Sequence, residues 1–123
     1  MRGHINNTVI PVWLADGRAA LFREKLGSKI PTMVVNLNVD FRRELHWGSM
    51  VTARTAVERI GNSSIVFVQE LWQNDQVCVQ ARTTVIAVDV ETRQSMRVPD
   101  EERTLLSPYL LNTKPTPPSP QAL

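Results

Sequence analysis

Thr8-Val9-Ile10-Pro11-Val12-Trp13-Leu14-Ala15-Asp16-Gly17-Arg18 follows directly on Gly3-His4-Ile5-Asn6-Asn7, and at this junction a polar loop passes into a helix. Ile10, Trp13, Leu14, Gly17 and Leu21 recur at helical spacing, which predicts an amphipathic helix from about Thr8 to Leu26. Asp16, Arg18, Arg23, Glu24 and Lys25 occupy much of the remaining surface. Pro11 is tolerated only in the first turn, where backbone N–H groups have no partner within the helix. The helix is therefore expected to start near Asn7 or Thr8, either of which can cap it through a side-chain oxygen. Gly27 is the expected stop. Gly17 costs about 1 kcal/mol against alanine in a helix interior, so its presence predicts a close approach of helix to sheet.

The rest of the chain reads as strands. Val35, Leu37, Val39 and Phe41 alternate with Asn36, Asn38 and Asp40, the period of a half-buried strand over Val34 to Phe41. His46-Trp47-Gly48-Ser49 is a turn, and a second strand covers about Met50 to Ile60. Gly61-Asn62 marks a hairpin, followed by a strand from Ser64 to Trp72. Asn74-Asp75 turns the chain into a long strand from Val77 to Val90, with Val77, Val79, Ala81, Thr83, Val85 and Ala87 on one face. A short strand is expected near Ser95 to Val98, then a short helix opening at Pro99-Asp100-Glu101-Glu102. The order is one helix, then an antiparallel meander. A single helix covers one face of such a sheet, so the sheet should curl around it and its free edges call for a partner chain.

Composition excludes several classes. The chain has 123 residues and 42% hydrophobic content, enough for one ordinary soluble domain. Its formal net charge is +2, and its basic residues are scattered rather than interleaved with aromatics, so nucleic acid is not an expected partner. No apolar run approaches a membrane span, and Met1-Arg2-Gly3-His4-Ile5-Asn6-Asn7 contains no apolar signal-peptide core. Cys78 is the one cysteine, which rules out an intrachain disulfide and fits a cytoplasmic location. Two histidines and one cysteine offer no metal-ligand spacing. Residues 112–123 include Lys114-Pro115-Thr116-Pro117-Pro118-Ser119-Pro120, and are expected to be a disordered tail that contributes nothing to folding.

Gly3-His4-Ile5-Asn6-Asn7 resembles the Gly-His-Val-Asn-Asn stretch of the 4-hydroxybenzoyl-CoA thioesterase family of hotdog proteins. The likeness continues through Trp13-Leu14-Ala15-Asp16-Gly17-Arg18, similar to the family's aromatic, acidic and arginine pattern, and through the hairpin Arg59-Ile60-Gly61-Asn62-Ser63-Ser64. It ends with Val88-Asp89-Val90 and Val98-Pro99-Asp100-Glu101-Glu102-Arg103, so it covers the chain from Gly3 to about Leu106. The resemblance implies an α+β hotdog fold over residues 1–111, with one long helix wrapped by a curled antiparallel sheet. It also implies hydrolysis of an acyl-CoA thioester to free acid and coenzyme A. Coenzyme A enters only as part of the substrate, and no separate cofactor is implied. A homodimer or homotetramer is expected, with the ligand cleft between subunits.

The chemistry fits that implication. A thioester oxygen gains negative charge as the carbonyl is attacked, and the N–H groups at a helix N-terminus can stabilise it. Asn6 and Asn7 stand where such donors lie, although capping alone would also explain them. His4 has a suitable ordinary pKa for a base, but in resembling proteins it shapes the loop. Asp16 lies two turns into the helix, one residue after Ala15, which stands where many family members have glutamate; it reads first as a solvated or ion-paired helix residue. Arg59, Asn62, Ser63 and Ser64 stand where resembling proteins often contact coenzyme A phosphates, and turn chemistry accounts for Asn62 and the serines equally well. Arg42 and Arg43 read first as a solvated strand end, with a coenzyme phosphate contact as the alternative, Cys78 as a core or interface thiol rather than a nucleophile, and His46-Trp47 as a packed turn.

The family's catalytic aspartate usually precedes the glycine by three residues. Counted back from Gly3, that position falls ahead of Met1, and the strand leading into it has no counterpart in residues 1–123. The expectation is that this chain binds acyl-CoA but hydrolyses it poorly, by roughly the 10²–10⁴-fold that a positioned base supplies. Two rival readings remain: a non-catalytic hotdog that binds acyl-CoA or serves as an oligomer subunit, and a hydratase or dehydratase. The second needs a histidine–carboxylate pair near the helix, and the sequence offers no convincing one.

Overall fold

Helical geometry begins at Asn7 with a 3-10 turn, Asn7–Val9, and continues as α1, Ile10–Ala19, then as a π-helical stretch, Ala20–Lys25. This computed structural model describes residues 7–111; His4, Asn6 and the expected tail lie outside the described residues. Pro11 sits in the first turn of α1, as its missing N–H requires. The cap position of α1 falls on Val9, which makes no side-chain cap bond. Capping of α1 by Asn7 or Thr8 is thus corrected, because the 3-10 turn intervenes. Gly27 ends the helical run at φ +71°, with its N–H on the Arg23 carbonyl and the Ser28 N–H on the Phe22 carbonyl.

Four strands form one antiparallel sheet: β1 (Thr32–Phe41), β2 (Thr52–Ile60), β3 (Ser64–Gln73) and β4 (Gln76–Ala87), in the order β1-β4-β3-β2. The expected simple meander holds only for β2, β3 and β4. β1 pairs with β4 instead, so the segment after β1 crosses the end of the sheet. Leu45 anchors that crossing in the core, and Gln73 Nε2 holds it by donating to the carbonyls of His46 and Ser49. Asn74 and Asp75 make the β3–β4 turn at φ +52° and +60°. Residues 95–98 do not form the expected strand. The Asp89 carboxylate accepts from the N–H groups of Glu91 and Thr92, which closes a turn and leaves a single bridge between Val88 and Ser95. Helix α2, Asp100–Leu106, has Pro99 at its cap, one position earlier than expected, and three acids in its first turn.

The helix lies on one face of the sheet over two apolar clusters. Ile10 and Leu14 pack with Leu71, Cys78 and Val79 at one end; Leu21 and Phe22 pack with Val57, Phe67, Val85 and Leu106 at the other. Gly17 sits between them, and the close approach it implied is present: a Cβ there would lie 3.0 Å from Gln69 Nε2 and 3.2 Å from Thr55 Oγ1. Gly17→Ala should therefore destabilise the fold by about 1–3 kcal/mol despite alanine's better helix propensity, because it overpacks this contact. Denaturant unfolding checks this, and a stabilised variant would show that the helix can retreat freely.

The half-buried strand expected at residues 34–41 is the largest departure. β1 is an edge strand, and Met33, Val34, Val35, Leu37 and Phe41 are all exposed in the single chain. The alternation was legible, but among the described residues only Val39 of its apolar side is covered, half-buried against the N-terminal cluster.

Candidate active site

Asn7 is exposed at the start of the helical run, and Ile10 and Leu14 seat that end of the helix on the cluster beside the β3–β4 turn. Along the helix flank from Trp13 to Gly17 opens an apolar cavity of about 460 Å³, walled also by Trp47, Val51 and Leu71. Trp13 and Trp47 meet edge to face, with centroids 6.5 Å apart and an interplanar angle of 89°. Two polar side chains, Asp16 and Ser49, reach this lining. Asp16 is exposed and makes no ion pair among the described residues, so of the two expectations for it, solvation is what the structure has. His46-Trp47, read from sequence as a packed turn, is corrected in part: the turn is there, but Trp47 is 65% exposed and forms a cavity wall. Trp13 and Trp47 are far apart in the chain, and nothing in their spacing signals the pair.

A second groove of about 660 Å³ adjoins the first at Gly17 and Ala53, and runs between Ala20 and Lys25 of the helical run and the edge of β2. Residues 108–111 partly close it, where the Leu111 N–H donates to the Val57 carbonyl.

Under the helix, a polar belt separates the two apolar clusters. Gln69 is 1% exposed; its Nε2 donates to the Leu14 carbonyl at 2.8 Å and to Thr55 Oγ1 at 3.1 Å. Its Oε1 accepts from Arg18 Nη1 at 3.1 Å, and the same nitrogen lies 3.3 Å from Thr83 Oγ1. Burial pushes the Arg18 pKa below its ordinary value. Gln69 went unnoticed in the sequence, yet it had a signal: it shares the parity of Ile65, Phe67 and Leu71 on a strand whose helix-facing positions are otherwise apolar up to Leu71.

Arg59, Asn62, Ser63 and Ser64 lie at the other end of the sheet. Arg59 and Asn62 are exposed, and Ser63 and Ser64 are half-buried. Arg103 of α2 pins this hairpin by donating to the carbonyls of Gly61 and Asn62 at 2.7 and 3.1 Å. The length of β3 separates the hairpin from the helix start, a distance on the order of 30 Å at ordinary strand rise. Within one chain, then, the structure does not bring the two sets of expected site residues together. Arg42 and Arg43 are exposed at the end of β1, and both their N–H groups donate to the Cys78 carbonyl. Cys78 is buried in the core, as read from sequence. Among the described residues, no group of three His, Cys, Asp or Glu side chains could hold a metal ion, and no helix is long and apolar enough to cross a membrane.

This geometry agrees with what the chain is similar to. Residues 2–80 match the model of the thioesterase superfamily, and the chain belongs to that superfamily. Among solved structures it is similar to a predicted thioesterase from Bacillus stearothermophilus at 33% identity, with a TM-score of 0.81 and coverage of 91% of this chain and 87% of that one. A thioesterase from Thermus thermophilus, complexed with coenzyme A and Zn, is 17% identical with a TM-score of 0.75, covering 87% of this chain and 81% of that one. The DHNA-CoA thioesterase from Staphylococcus aureus is 19% identical with a TM-score of 0.76, covering 86% and 78%. The last two, at their lower identity, speak to the fold alone. No curated protein matches the chain. The fold is α+β, the hotdog arrangement of a long N-terminal helix on an antiparallel sheet.

Proposed function

We propose that the protein hydrolyses an acyl-CoA thioester in the cytoplasm, with the carbonyl held at the N-terminal end of the helical run and the acyl group in the Trp13–Trp47 cavity. The observation that carries this reading is the helix that joins the two: the helical run begins at Asn7, and its next turns, at Trp13, Asp16 and Gly17, line an apolar cavity of about 460 Å³. Pro11 contributes no N–H, so the donors would come from the residues around it and from Asn6 and Asn7. Asp16, on the cavity lining, and His4, just before the helix, are the side chains of this chain that could act as a base; the alternative is a carboxylate supplied from upstream of Gly3.

The coenzyme would reach across two protomers. Two β1 edges paired antiparallel around a twofold axis set the Thr32 end of one strand beside the Phe41 end of the other. Thr32 pairs with Ala87, at the hairpin end of the sheet, and Phe41 pairs with Val79, at the helix-start end. Such a dimer brings one protomer's Arg59 and Asn62–Ser64 end toward its partner's helix start. Such pairing would also fill the outer edge of β1, which pairs with no strand among the described residues. The non-catalytic reading keeps the same binding geometry and differs only in turnover.

Trp13→Ala tests the cavity. It should raise KM for an acyl-CoA roughly 10-fold while changing kcat less, because it removes apolar burial common to ground and transition states. An unchanged KM would take the acyl group out of this cavity. Asp16→Asn then separates the candidate bases: a loss of about 10²–10⁴-fold in kcat assigns the role to Asp16, and an unchanged kcat excludes it.

A further inference from the structure

Apolar packing has no preferred direction, so the two clusters under the helix tolerate small slides and tilts of it. Hydrogen bonds weaken steeply when misaligned. Gln69 supplies the directional contact: it holds the Leu14 carbonyl at 2.8 Å and Arg18 at 3.1 Å, two points one helical turn apart. Its Nε2 is also the nearest atom to the missing Cβ of Gly17, at 3.0 Å, so the same amide sets the height of the helix above β3. Thr55 and Thr83 fix the belt from the neighbouring strands. Gln69 itself is buried between helix and sheet and is not among the residues that line the Trp13–Trp47 cavity.

We propose that Gln69 is a positioning residue for the reaction: it locks the axial position and height of α1, and so places the N–H groups at the helix start relative to the sheet and to the cavity residues Val51 and Leu71. This inference rests on the proposed role of the helix start as the oxyanion site. Misplacement of a reacting group by about 1 Å can lower a rate on the order of 10²-fold, whereas substrate binding spread over a cavity is less sensitive.

Gln69→Met keeps side-chain volume and removes all three hydrogen bonds. On the full chain, thiol release from an acyl-CoA panel should show kcat lowered by roughly 10²-fold with KM within about 2-fold of wild type. Backbone amide resonances from Thr8 to Leu14 should shift or broaden, while those of β1 stay in place. Unchanged kcat with unchanged helix amides would overturn the proposal. If wild type releases no thiol, the hydrolase reading fails, and the amide spectra alone decide whether Gln69 locks the helix. If Gln69→Met does not fold, Gln69→Glu serves: it keeps an acceptor for Arg18, loses the donor to Leu14, and should still displace the helix amides. A Gln69→Glu protein with wild-type kcat and helix amides would equally overturn the lock.

Discussion

Lysine at both Val35 and Leu37 is expected to convert the protein from an oligomer to a folded monomer and to weaken acyl-CoA binding about 100-fold, equivalent to about 2.7 kcal/mol. Both residues are exposed on β1, whose outer edge pairs with no strand among the described residues, and they stand among the exposed apolar side chains that run from Met33 to Phe41. A long apolar edge strand of this kind is what soluble monomers blunt with charge. Charge placed there should block edge pairing without touching either core cluster. The binding loss follows from the proposed dimer, in which the second protomer would supply the coenzyme end of the cleft. Sedimentation at micromolar concentration and calorimetry with coenzyme A and an acyl-CoA check both parts. A variant that remains dimeric, or a monomer that binds as tightly as wild type, would remove the composite cleft from the account.

Phe67→Ala is expected to destabilise the fold by about 3–5 kcal/mol, the usual range for emptying a buried aromatic site. Phe67 is 1% exposed and packs edge to face on Phe22, with ring centroids 5.9 Å apart. It belongs to the cluster that joins the C-terminal half of the helical run to α2 through Leu106. For a domain of this size the melting temperature should fall by roughly 15 °C or more. A shift of only a few degrees would show that the cluster repacks, and that the helix is held mainly by its N-terminal half.

The sequence made the helix and the strands legible because each carries a clean period. Ile10, Leu14 and Leu21 mark a helix face, and the alternation from Val77 to Ala87 marks a strand face. Gly17 and Gly27 could be read because each answers a geometric need that only glycine meets cheaply. Strand order could not be read: the pairing of β1 with β4 depends on a crossing anchored by Leu45 and Gln73, which no local pattern announces. The exposure of β1 is a related case, since alternation shows which side is apolar but not which molecule covers it. Of the site, Asp16 was legible as a polar residue in the helix, while its cavity was not, because Trp47, Ser49 and Val51 reach it from a turn distant in sequence. The hairpin from Arg59 to Ser64 was read as part of one site, and periodicity gave no measure of its distance from the helix start.

The most direct test of the hydrolase reading measures acyl-CoA binding and thiol release together, on the wild-type protein and on Trp13→Ala. The expected result is saturable acyl-CoA binding with thiol release by the wild type, and a KM raised roughly 10-fold in the variant. Saturable binding with no thiol released would leave a binding module in place of an enzyme, and failure of the wild type to bind any acyl-CoA would contradict the reading at its root.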